Sequence, residues 1–487
     1  SLAAAIAIAN DPVSNPGHDT IKFSGGVHGP IALEGELVIT DDLTIQGPGA
    51  EKLTISGEGA NRIFSILSSD LADPISVEIQ KVTIANGVAT DAPGFPLDSG
   101  FAFGGGLYNL GSIVSLDRVR MQDNQAGLNG LAAGGAIANE FGGSLLITRS
   151  DFVNNSATGF VVAAGGAITS DIGPSLNPDG TPGDGTPGQP VVTISHSTFE
   201  GNMAQALVAD PVAAGPFEPF AGFAFGGALS NLAGDTTVSH SRFINNQVFG
   251  GDGAADQPGG LANGGAIYSD DFSPFDAVPP LLGRDSSLDV THSKFVGNGS
   301  TGGTGGAPDA GETGAPGGVA AGGAISVSIS FLDDSANIRH SSFRHNTAIG
   351  GEGGADGGAG GPAVGGALSV LAGADVVVAN SRFSGNVAQG GSGAAGGNGG
   401  DGTGGAIGLG RIVTAVPTRL EFLVPSVWIN GSKISGNSAI GGNGGDGADG
   451  GNGNGGGLGV TAGLIDGTMA HVSNSLLTRN RAVGGSG

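Results

Sequence analysis

Apolar residues recur at alternate positions in short bursts along most of this chain, as in Leu43-Thr44-Ile45, Leu53-Thr54-Ile55, Val191-Val192-Thr193-Ile194, Leu288-Asp289-Val290 and Asp375-Val376-Val377-Val378. Such alternation, bounded by Gly, Pro and Asp, predicts short strands with one buried face. Asp19 to Phe23, Leu37 to Ile39, Ile63 to Ile66 and Val77 to Ile84 read the same way. Only the start differs. Leu2, Ile6 and Ile8 in an Ala-rich stretch over residues 2–9 predict a short amphipathic helix ended by Asn10 and Pro12, lying as a cap over the open end of the strands.

Two tetrapeptides punctuate the strands. Two glycines, a small residue and an aliphatic one begin at Gly104, Gly134, Gly165, Gly226, Gly264, Gly322, Gly365, Gly404 and Gly455. Each is followed by an apolar residue with an Asn three positions on: Met121/Asn124, Phe152/Asn155, Phe199/Asn202, Phe243/Asn246, Phe295/Asn298, Phe343/Asn346, Phe383/Asn386, Ile434/Asn437 and Leu477/Asn480. Fixed motifs in a repeat of variable length mark a solenoid, whose coils bury apolar side chains only by stacking on one another. Equivalent strands then run parallel about 4.8 Å apart and aligned positions form ladders. The Phe position becomes a core stack, and the Asn position a column of amides that bond one another and cap a turn. Residues 1–70 form the cap and first coils, and residues 71–487 the repeating β-helix.

Three residues before the Phe position stand Arg118, Arg149, His196, His240, His292, His340, Asn380, Gly431 and Asn474. Four histidines one coil apart suggest a metal stripe. His, Asn and Gly, however, all tolerate positive φ, so a turn position accounts for the histidines and for what replaces them. From each Asn to the next glycine pair the chain counts 10, 10, 24, 18, 24, 19, 18 and 18 residues, and glycine inside the later connections keeps a period of three, as in Gly441-Gly442-Asn443-Gly444-Gly445-Asp446. Three residues per turn is polyproline II geometry, and the near-equal lengths predict extended flaps stacked along one flank. That segment and Gly396-Gly397-Asn398-Gly399-Gly400-Asp401 match the opening of the calcium-binding nonapeptide, which makes Asp401 and Asp446 the calcium candidates. Both depart from it two residues after the Asp, at Thr403 and Ala448, and no other cofactor is called for.

Composition narrows the function. With 99 glycines, 24 prolines and 13% charged residues, helices have little room. Net charge is −25, so the overall field disfavours nucleic acid and anionic lipid. There is no cysteine, hence no disulfide or thiolate site, and no run of 18 apolar residues to insert in a membrane. Three insertions, roughly 169–190, 268–287 and 408–427, carry Phe272, Phe275, Phe422 and, nearby, Trp428, and are either partner-binding side loops or decoration. For an enzyme the candidates are Glu140, Asp171, Asp270 and Asp271, the first two in adjacent coils about 5 Å apart. Carboxylates on a solvated turn explain them as well, and one Trp and two Tyr leave little to stack on sugars. No catalytic residue is assigned.

The couple of Gly134 to Ile137 with Phe152 to Asn155 resembles the repeat of chlamydial polymorphic outer membrane proteins, over about four fifths of the chain. The opening, Ser1 to Asn10 and Leu43 to Ala50, is similar to the N-terminal portion of other large bacterial β-helix surface proteins. The resemblance implies an all-β, right-handed parallel β-helix, secreted or displayed on a bacterial cell surface, where several relatives act as adhesins. The start reads as a processed terminus, and Arg481 to Gly487 as the opening of another flap that a trimmed precursor, a longer protein or a second subunit would continue. The expected function is a non-enzymatic extracellular structural protein that associates with itself end to end into fibres. The alternatives are a monomeric adhesin for a cell-surface glycan or protein, and a polysaccharide lyase or hydrolase.

Overall fold

A computed structural model describes residues 1–13, 17–24, 26–91, 101–127, 130–160, 162–171, 188–209, 222–271, 286–309, 311–327, 334–371, 373–410, 424–461 and 468–487. It is a parallel β-helix. The coil that opens at Gly264 shows the plan: strand Ile267–Asp270 lies in an eleven-stranded sheet, Ser287–Thr291 and Lys294–Val296 in two twelve-stranded sheets, Gly299–Thr301 in a ten-stranded sheet, and Ala320–Ala321 in a nine-stranded sheet. Neighbouring strands are parallel and in register, as in Leu288↔Ala336 and Phe295↔Phe343. Register passes residue 70 without a break, since Leu43 pairs with Val77. The one helix among the described residues, Leu2–Ala9, precedes the strands; Ser1 caps its first turn, and Leu2, Ile6 and Ala9 turn one face into the core. Asn10 then fastens it, donating to Val38 O and accepting from Thr40 N. Strand Gly29–Ala32 escapes the alternation rule, because Gly and Pro fill half of it.

The alternation does what the sequence requires. In Ser287–Thr291, Leu288 and Val290 are buried while Asp289 is exposed. Phe152, Phe199, Phe243, Phe295, Phe343 and Phe383 form one stack with ring centroids 4.6–4.9 Å apart and planes within 8°. The column reaches back through Met121 and Ile84 to Ile55. Glycine is required at the motif's first position, where Gly134 has φ +62° and an added Cβ would lie 2.0 Å from Ile137 O.

A second column runs beside the rings. Ser150, Ser197, Ser241, Ser293, Ser341, Ser381, Ser432 and Ser475 each stand two residues before the Phe position, and each Oγ accepts an N–H of the preceding coil. Ser293 Oγ also donates back to Thr291 O at 2.8 Å. Replacing Ser293 by Ala leaves the buried Ser241 N–H without its acceptor, and a loss of about 1–2 kcal/mol is expected in urea unfolding. A neutral Ser293→Ala variant would show that this column is incidental.

Beyond the ten-stranded sheet the glycine connections form a layer of their own. The run Gly303 N to Gly260 O, Gly318 N to Gly303 O, Gly351 N to Gly318 O, Gly361 N to Gly351 O, Gly391 N to Gly361 O, Gly400 N to Gly391 O and Gly442 N to Gly400 O is unbroken at 2.7–3.0 Å. It alternates between outgoing and returning limbs of successive flaps. A second run through Gly306, Ala315, Gly354, Gly358, Ala394, Gly397 and Gly445 lies three residues further out on every limb. That step of three is the polyproline II repeat, realised as a lattice of glycine backbones.

Candidate functional site

The motif's own residues are the scaffold. From Asn124 through Asn155, Asn202, Asn246, Asn298, Asn346, Asn386 and Asn437 to Asn480, each Nδ2 donates to the next Oδ1 at 2.9–3.0 Å. All but Asn480 are buried, as are the six phenylalanines, so none meets a ligand from solvent. The nine residues three places before the Phe column all have φ between +47° and +60°. His196, His240, His292 and His340 sit there with rings stacked at 4.9 Å, exposed along one edge.

The acidic candidates differ from the sequence reading. Glu140, Asp171, Asp270 and Asp271 are buried, not set on a solvated turn. Strand Ile137–Glu140 is covered on both faces, by the main core on one side and by a second cluster on the other, which includes Tyr108, Phe103, Phe141, Phe225, Leu232 and Tyr268. The glycine turn brings the nine-stranded sheet against the eleven-stranded one, which removes the wet face that alternation presumes. Register pairs Asn139 with Ser170 of the next coil, the residues immediately before Glu140 and Asp171.

Asp270, Asp271 and Asp334 are brought together, with one carboxylate oxygen from each within 4.8 Å of the others. Asp334 accepts from Ser286 N and Oγ and from Asp271 N; Asp270 accepts from the Tyr268 hydroxyl. Burial, reinforced by Asp270 and then by Asp334 and Asp271, raises the Tyr268 phenol well above its ordinary range and keeps it a donor to Asp270; burial and then Glu140 raise the Tyr108 phenol as well. Oxygen donors of this kind suit a hard cation. They have no solvated face from which a glycosidic oxygen could be protonated.

The calcium candidates are not brought together into such a group among the described residues. Asp401 Oδ1 accepts from Asn452 N and Nδ2 of the next flap, whereas Asp446 is exposed at a flap tip. Phe272, Phe275 and Phe422, with most of the three insertions, lie outside the described residues. Trp428 is exposed on a strand and its ring lies 4.8 Å from that of His471. Sequence reasoning missed the serine column, although Ser two places before the Phe position recurs in eight of the nine copies.

No protein-family model and no curated protein matches the sequence. Among solved structures the chain is similar to the ORF18 protein of Geobacillus virus E2, at 12% identity and a TM-score of 0.34, covering 88% of this chain and 56% of that one. It is also similar to the catalytic domain of a GH87 alpha-1,3-glucanase, at 9% identity and a TM-score of 0.40, covering 98% and 67%. A third is PfbA, a surface adhesin of Streptococcus pneumoniae, at 13% identity and a TM-score of 0.31, covering 84% and 86%. These are distant likenesses between folds, and no activity or partner is carried over from them.

Proposed function

We propose that this chain is a non-enzymatic extracellular structural protein, a stiff β-helical rod of a bacterial surface or matrix that works as associated copies. The observation that carries this reading is the double use of repetition. The core stacks Phe, Asn and Ser in separate columns, and the flank stacks glycine backbones into a second hydrogen-bonded layer. Both devices add order in proportion to length, and neither builds a concave site with convergent polar groups. No helix among the described residues is long and apolar enough to cross a membrane. The likeness of the GGA[IL] and FxxN couple to surface-displayed repeats supports the location.

Self-association is part of the proposal, because a column of equivalent rungs can take a rung from a second copy through the same hydrogen bonds. Negative-stain microscopy and sedimentation over a range of concentrations test it, with fibres or end-to-end rods expected. Single rods at every concentration would leave the monomeric adhesin in its place. Release of reducing ends from a panel of polysaccharides would replace the structural reading altogether.

A further inference from the structure

A net charge of −25 hides an uneven distribution of the 18 Lys and Arg residues. In the outward column just before the Phe position, five successive coils present Arg242, Lys294, Ser342, Arg382 and Lys433 in register. All but Ser342 are exposed. On one side the column is flanked by the exposed imidazoles of His240, His292 and His340. On the other it is flanked by the outward column after the Phe position, where Arg344 is exposed. Across these coils the three columns contain no Asp or Glu.

Nor are these cations neutralised from elsewhere. Arg242, Lys294, Arg344, Arg382 and Lys433 form no ion pair with any described residue, whereas Lys52, Arg62, Arg118 and Arg149 each do. Like charges facing one another across paired strands cost stability. Here Arg242 faces Lys294, and Arg382 faces Lys433. At the centre the short Ser342 opens a cleft of about 380 Å³, walled by Lys294 and Arg382 along the axis and by Arg344, His340 and Asn380 at the sides.

We infer that this stripe binds a linear polycarboxylated polysaccharide, a polyuronate, laid along the solenoid axis. The rungs repeat about every 4.8 Å, close to the advance of one pyranose residue, so the carboxylates that face one side of the chain meet cations one or two coils apart. Arg and Lys supply charge-assisted bonds, and the cleft seats one carboxylate against Ser342. Nucleic acid fits less well. Its recognition uses stacking platforms or elements that enter a groove, and these columns, whose imidazoles stack on one another, offer neither.

The inference rests on the surface or matrix role and names its partner, and the test separates the two. Affinity electrophoresis of the whole chain through gels containing polygalacturonate, alginate, neutral dextran or duplex DNA gives the readout. Retardation by the polyuronates alone is expected, weakening as salt rises. The triple variant Lys294→Ser, Arg344→Ser, Arg382→Ser is expected to lose about tenfold or more in affinity, with its circular dichroism and rod shape unchanged. Lys22→Ser with Lys52→Ser, at sites outside the stripe, should leave binding intact. Undiminished binding by the triple variant, failure of the parent chain to bind polyuronate, or tighter binding to DNA would each overturn the stripe as a polyuronate site. Polyuronate bound but cut into oligomers would support the stripe and overturn the non-enzymatic role.

Discussion

Replacing Asn298 by Ala is expected to cost about 4 kcal/mol and to split the solenoid's cooperativity at that coil. Its side chain makes four hydrogen bonds: Nδ2 donates to Phe243 O at 3.0 Å and to Asn346 Oδ1 at 2.9 Å, and Oδ1 accepts from Asn246 N at 3.0 Å and from Asn246 Nδ2 at 2.9 Å. Truncation removes all four and leaves the Asn246 N–H buried without that acceptor. Three of the lost bonds are worth about 1 kcal/mol net each, and the fourth, which orphans the buried Asn246 N–H, costs about 1–3 kcal/mol in place of that, so the sum starts at about 4 kcal/mol. Asn298→Asp should be worse, since a buried carboxylate would face Phe243 O and Asn346 Oδ1 with no proton to donate. Coils in a solenoid couple only to their neighbours, so the damage concentrates at the interfaces on either side. Hydrogen exchange of the coils around Phe243 and Phe343, together with urea unfolding, provides the measurement. A cost below about 1 kcal/mol, within the range of ordinary surface changes, would show that the amide column is not what holds the coils in register.

Residues whose role depends on backbone geometry were legible in the sequence. The first glycine of each motif and the interchange of His, Asn and Gly before the Phe column name turns, and both positions have the positive φ that such residues tolerate, as do Arg118 and Arg149 in the same column; the nine Asn positions were legible as a bonded column. The period of three in the flaps was legible for the same reason: glycine at every contact of the inner run, and at all but Ala315 and Ala394 in the outer one, answers a steric demand of the backbone. Two other things were not. The burial of Glu140 and Asp171 depends on two sheets converging across a glycine turn, and one strand's alternation carries no information about what covers its other face. The cationic stripe was invisible to net charge, because Arg242, Lys294, Arg382 and Lys433 are far apart in the chain and become neighbours only through register.

Gly351→Ala is expected to melt the flap layer locally while leaving the Phe and Asn columns intact. An added Cβ would lie 1.9 Å from Gly303 O and 2.7 Å from both Gly303 C and Gly318 N, all of them backbone atoms that cannot swing aside. Gly351 N also donates to Gly318 O, and Gly351 O accepts from Gly361 N, so relief by displacement breaks the unbroken run in both directions. Overpacking a tight site costs about 1–3 kcal/mol and occasionally more, and the upper end applies where nothing flexible surrounds the methyl group. Gly447→Ala is the matched control: no atom lies within 4 Å of its Cβ position and its φ is +79°, so only the left-handed conformation is penalised, by about 1–2 kcal/mol at a flap tip. Hydrogen exchange should then lose protection at Gly318, Gly351, Gly361 and Gly391 in the first variant but keep it at Asn298 and Asn346, and should change only near the tip in the second. Equal effects would mean that the flaps are ordered by their attachment to the coil and not by one another. Because the lattice joins each flap to the flaps of both neighbouring coils, the expected pattern would also show that it braces the rod along its axis, which is the property a structural role on a surface or in a matrix requires.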